Sequence, residues 1–142
     1  MNWTLEVVVV PVTDVDRAKK FYADQLGFNL DFDTEVSDEL RVVQLTPPGS
    51  GCSVVIGKGI SEMQPGSLKG VQLVVPDIRL AHSELVERGV EVSDVVVVGG
   101  PEGQRSAQDG DQLDNVGFVH FSDPDGNAWA VQQISARGKS GE

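Results

Sequence analysis

Apolar positions along the chain fall into two similar sequences of strand-like and helix-like periods. Residues 5–12 (Leu-Glu-Val-Val-Val-Val-Pro-Val) form a mostly apolar run, the pattern of a buried strand. Thr13 then offers a helix N-cap, with Asp16 three residues later in a box-like arrangement. Val15, Ala18, Tyr22 and Leu26 follow at helical spacing beside Phe21, and Gly27 ends the helix. Short strands are predicted near 28–33, 40–46 and 52–57, the last two joined by the turn-forming run Pro47-Pro48-Gly49-Ser50-Gly51. The pattern then recurs. A strand is predicted at 70–75, and Asp77 opens a helix with Ile78, Ala81 and Leu85 on one face that stops at Gly89. Further strands fit 90–98, 116–122 and 128–134.

Superposing the two halves pairs Asp14 with Asp77, Ala18 with Ala81, Tyr22 with Leu85, Gly27 with Gly89 and Pro48 with Pro124. The chain is thus predicted to be one α+β domain built from two βαβββ modules. Module 1 covers about 4–57, a linker runs over 58–69, and module 2 covers about 70–134. Residues 99–115 are predicted to be a long loop, and 136–142 a loose tail.

Composition narrows the function. Valine supplies 24 of the 142 residues, a strand-forming bias. The 11 Lys and Arg are outnumbered by 22 Asp and Glu, giving a formal net charge of −11. That balance argues against nucleic acid, which requires a basic face, and favours a cationic guest if some of the charge lines a cleft. Cys52 is the single cysteine, so no intrachain disulfide forms and a reducing, cytoplasmic setting is expected. No apolar run reaches the roughly 18 residues of a membrane helix, and no signal peptide is evident.

The segments Val12-Thr13-Asp14, Ala18, Phe21-Tyr22 and Leu26-Gly27-Phe28, followed by Phe121-Ser122-Asp123-Pro124-Asp125-Gly126-Asn127, carry a resemblance. Within a duplicated unit they resemble the glyoxalase/bleomycin-resistance/dioxygenase group, the vicinal oxygen chelate superfamily. The resemblance covers about residues 5–134 and implies eight strands curled around a central cavity. That fold hosts metal-dependent isomerases, lyases and dioxygenases as well as metal-free drug binders.

Metal-binding members place His or Glu early in the first strand and in the last strand of each module. By that resemblance the four positions here are Val7, Gly70, Ala130 and Val54, none of which carries a metal donor. Shifting the register by one residue would bring in Glu6 but turn it to the other face of its sheet. No metal and no cofactor are therefore expected. Strand alternation places Val9, Cys52, Gln72, Ala128 and Gln132 beside those positions. The resemblance adds His120 and Phe118, with Gln44 as the module 1 counterpart of His120. The predicted ligand-binding set is Val7, Val9, Gln44, Cys52, Val54, Gln72, Phe118, His120, Ala130 and Gln132, with Val42 in the same apolar basin. Apolar walls with a few orienting polar groups suit a small molecule.

His120 is the candidate acid–base group, although it equally reads as a hydrogen-bonded core histidine. The three glutamines suit bridging between strands as well as ligand contact. His82 reads as surface, Cys52 as a small buried thiol and Trp129 as core. Three functions follow. A metal-independent binding protein of the bleomycin-resistance type would sequester a drug or natural product, and relatives of that type imply a homodimer. A metal-free lyase or isomerase would use His120. A metalloenzyme would need relocated ligands such as Glu6 and His120.

Overall fold

The computed structural model describes residues 1–136, so nearly all of the predicted tail at 136–142 lies outside the described residues. The described residues form two compact units, one of residues 1–68 with 123–127, the other of residues 69–122 with 128–136.

In the first unit the order is β1 (Val7–Val9), α1 (Val15–Lys20), β2 (Asn29–Glu35), β3 (Arg41–Thr46) and β4 (Ser53–Lys58). The helix continues as a wider π turn over Phe21–Gln25 before Gly27, at φ +79°, reverses the chain. The sheet order is β1-β4-β3-β2, with β1 parallel to β4 and the other pairs antiparallel. Ala18, Phe21 and Tyr22 are buried on the helix, and Val43, Leu45, Val54 and Ile56 on one side of the sheet. The rings of Phe21 and Tyr22 meet edge to face at 5.1 Å.

Asp14, rather than Thr13, caps α1. Its carboxylate accepts the Arg17 amide at 3.0 Å. The Thr13 hydroxyl is taken elsewhere, donating to Asp125 at 2.7 Å. Charges also join helix to sheet in this unit. Arg41 grips Asp33 bidentately at 2.9 and 2.7 Å, while Lys19 of α1 reaches the same carboxylate at 2.9 Å. These cations hold Asp33 well below the usual carboxylate range.

The turn Asp123–Asn127 is packed inside this unit. Asp123 is buried yet accepts four hydrogen bonds, from the Tyr22 hydroxyl (2.8 Å), the Asn127 side-chain amide (2.8 Å) and the backbone amides of Asp125 (3.0 Å) and Asn127 (2.9 Å). Asn127, fully buried, also donates to the Pro11 carbonyl at 2.8 Å and accepts the Leu68 amide at 3.0 Å. The Asp-Pro-Asp-Gly-Asn run is thus a structural clasp whose polar groups are nearly all satisfied.

The second unit runs β5 (Val71–Val75), α2 (Ile78–Glu87), β6 (Val96–Val98), β7 (Gln104–Ser106), β8 (Gly117–Ser122) and β9 (Ala128–Gln133), with sheet order β5-β9-β8-β6-β7. Asp77 caps α2 through the amides of Arg79 and Leu80, both at 3.1 Å. Ile78, Val119, Phe121, Trp129 and Val131 are buried, and the Phe121 and Trp129 rings lie parallel at 6.1 Å. Trp129 is core, as its alternation predicts.

Two expectations for this unit are corrected. The predicted strand at 90–98 is regular only over Val96–Val98, because the Ser93 hydroxyl takes the His120 amide (2.9 Å) that a ladder carbonyl would otherwise receive. The predicted loop at 99–115 contains a ninth strand, β7, paired to β6 around a turn in which Gly99, Gly100 and Gly103 all have positive φ.

Candidate functional site

Each sheet packs one side against its own helix; the opposite, open face is buried at Ser53 and Val55 in the first unit and more exposed in the second. α1 packs on β4 in the first unit, and α2 on β8 and β9 in the second. Strand register then assigns every side chain to a face.

In the first unit β1 and β4 pair Val7 with Ser53 and Val9 with Val55, while β3 and β4 pair Gln44 with Val55 and Val42 with Gly57. The open face therefore carries Val7, Val9, Val42, Gln44, Ser53 and Val55. Predicted residues Val7, Val9 and Gln44 are on it. Val54 is not. It pairs with Val8 and Leu45 on the helix-facing side, and this register rather than exposure separates it from Val55, since both are buried. Cys52 precedes β4, half-buried, with its thiol 3.6 Å from the Ser53 carbonyl, and it falls in alternation with Val54. The reason is one residue of turn. Six residues separate β3 from β4, but five separate β8 from β9. The residue matching Ala130 is consequently Val55, since Val55 faces Gln44 as Ala130 faces His120.

A second feature of this face was also out of reach of the periodicity. Between β2 and β3, Leu30 pairs with Leu45 and Phe32 with Gln44, so Asp31 is the extra residue of a β-bulge. Asp31 accepts from Gln44 at 3.2 Å and, through a short hydrogen bond, from the Thr46 hydroxyl, which lies 2.6 Å from the Ser53 hydroxyl.

In the second unit β9 pairs Ala130 with both Gln72 and His120, and Gln132 with Phe118. All five predicted residues, Gln72, Phe118, His120, Ala130 and Gln132, thus share the open face. The amides form a chain, with Gln72 donating to Gln132 at 2.5 Å and Gln132 donating to the Asn115 carbonyl at 2.8 Å. The rings of Phe118 and His120 lie parallel within 5°, with centroids 6.2 Å apart. His120 is exposed, and among the described residues its imidazole makes no hydrogen bond. His82, on α2, is half-buried.

The residues at the positions where the resemblance implies metal ligands do not fit a divalent ion. Val7, Val55 and Ala130 offer only hydrocarbon, and Gly70 lies one residue before β5 with no side chain. Glu6 stands outside β1, its carbonyl accepting the Ser53 amide at 2.8 Å. Among the described residues no three His, Cys, Asp or Glu side chains are grouped to hold a metal, and no helix is long and apolar enough to cross a membrane.

Two concavities lie away from the predicted residues. One of about 330 Å³, within the first unit, lies between Val10–Thr13 and Gly57–Ser61. The other, about 440 Å³ and polar, lies at the start of α2 beside Asp111–Asp114. Its carboxylates are engaged: Asp111 binds Arg105 at 2.9 Å, which lowers its pKa to about 2, and Asp114 accepts the Ser135 amide at 2.7 Å.

Comparison with known proteins follows the same lines. The chain is similar to TnmS3, an antibiotic binding protein from Streptomyces sp. CB03234, at 33% identity and a TM-score of 0.72, covering 94% of this chain and 98% of that one. A glyoxalase/bleomycin resistance protein from the same organism is 33% identical with a TM-score of 0.69, over 92% of this chain and 100% of that one. A superfamily member from Sphaerobacter thermophilus DSM 20745 is 30% identical with a TM-score of 0.71, over 93% and 98%. No curated protein matches. The model of the Glyoxalase/Bleomycin resistance protein/Dioxygenase superfamily matches residues 4–131, and the chain belongs to that superfamily.

Proposed function

We propose that the protein binds a small molecule on the open face of a sheet without a metal ion, and sequesters a drug or natural product rather than converting it. The observation that carries this reading is that neither face offers a metal donor where ligating side chains would stand: the first unit's has Val7 and Val55 beside Gln44, and the second unit's has Ala130 beside Gln72, His120 and Gln132. Apolar walls supply affinity by losing water, and amides and an imidazole orient the guest. The likeness to an antibiotic binding protein supports the same reading. The charge of −11 favours a cationic guest. The lone cysteine supports a cytoplasmic location, and a homodimer completes the reading.

The alternative, a metal-free lyase or isomerase using His120, has less support. A general base is normally oriented by a second group, and among the described residues no carboxylate or second histidine holds this imidazole. The experiment is a calorimetric titration with doxorubicin and bleomycin, before and after exhaustive chelation, followed by mass analysis of the recovered compound. Binding that survives chelation and returns an unchanged mass is expected. Binding abolished by chelation, or a chemically altered compound whose formation is lost in His120→Ala, overturns the proposal.

A further inference from the structure

We infer that Asp31, on the open face of the first unit and brought beside Phe32 by the β2 bulge, is the counter-charge for a cationic group on the ligand and thereby sets ligand specificity. The inference rests on the binding role proposed above. Strict alternation from Leu30 would send Phe32 to the buried side of the sheet. The extra residue instead brings Phe32 opposite Gln44, so that Asp31 and Phe32 stand side by side on the open face. Phe32 is 43% exposed there. A carboxylate beside an exposed aromatic ring suits an ammonium group, which gains a charge-assisted hydrogen bond from the first and a cation–π contact from the second.

The surroundings hold this carboxylate in place without neutralising it. Gln44 and Thr46 both donate to Oδ2, and Thr46 is itself fixed against the buried Ser53. Oδ1 accepts nothing among the described residues, and Asp31 forms no ion pair among them. The nearest cations in sequence and pairing, Lys19 and Arg41, are committed to Asp33, whose partner Val43 lies on the buried side. Asp31 and Asp33 are thus two carboxylates one residue apart, one closed by a bidentate arginine and the other left open.

The test compares doxorubicin, an aromatic compound with one primary ammonium, with its neutral N-acetyl derivative, by fluorescence titration. The wild-type protein is expected to prefer the ammonium form by about tenfold or more. Asp31→Asn should bring the two affinities within about twofold of each other, leaving the N-acetyl affinity unchanged, which also shows that the variant is folded. Asp24→Asn removes the same charge elsewhere and should keep the preference. Equal binding of both compounds by the wild type, or a preference that survives Asp31→Asn, overturns the role of Asp31 while leaving the open-face reading intact. Binding of neither compound overturns both.

Discussion

The two units repeat a scaffold without repeating a surface. Each begins with a strand parallel to its last strand, caps its helix with an aspartate, and buries aromatic and branched side chains between helix and sheet. Their open faces have little chemistry in common. The first presents valines with Gln44, Ser53 and one carboxylate at the bulge. The second presents an amide chain and a parallel aromatic–imidazole pair. Packing constrains the buried side in both units to the same few residue types, whereas the open side is free to diverge, and there the units differ.

The hairpin turns differ as sharply. The turn between β3 and β4 is mostly exposed, while that between β8 and β9 places Asp123 and Asn127 in the interior of the first unit. The largest effect should follow from breaking that contrast. Asp123→Ala leaves the Tyr22 hydroxyl, the Asn127 side chain and two backbone amides without their acceptor, and should cost about 3 kcal/mol or more. A thermal melt should show a fall of roughly 10 °C. A fall under about 2 °C would mean that the clasp is not needed for stability.

A smaller effect distinguishes Asp33 from its open-face neighbour Asp31. The pKa of Asp33 is depressed by Arg41 and Lys19, so its contribution to stability is fully present above the unfolded carboxylate value of about 4 and is lost as pH falls toward the native value. Asp33→Asn should lower stability by about 1 kcal/mol at pH 7, a figure kept small because the pair is partly solvated. Urea titrations should show the difference shrinking below about pH 4. A difference that persists unchanged to pH 2 would contradict the ion-pair account.

Much of the fold was legible because burial imposes period. The strand at 40–46, the helix opened by Asp77 and the stops at Gly27 and Gly89 stand where the residues predict them. On the second unit's open face all five predicted residues came together, because β8 and β9 meet across a turn whose residues mark its ends clearly. On the first unit's face, one extra residue in the Pro47–Cys52 turn moved the matching position from Val54 to Val55, and nothing in the hydrophobic pattern separates one valine from the next. The juxtaposition of Asp31 with Phe32 escaped for a similar reason. A bulge is a failure of alternation, visible only once the partner strand is in place.

Val54 and Val55 therefore test the central claim most directly, being adjacent, alike and on opposite faces. A methyl-resolved NMR titration of valine-labelled protein with doxorubicin should shift Val7, Val9 and Val55 strongly while leaving Val54 close to its free position. Shifts confined to Val54, or to Val10, Val12 and Val15 beside the 330 Å³ concavity, would place the ligand elsewhere and contradict the account.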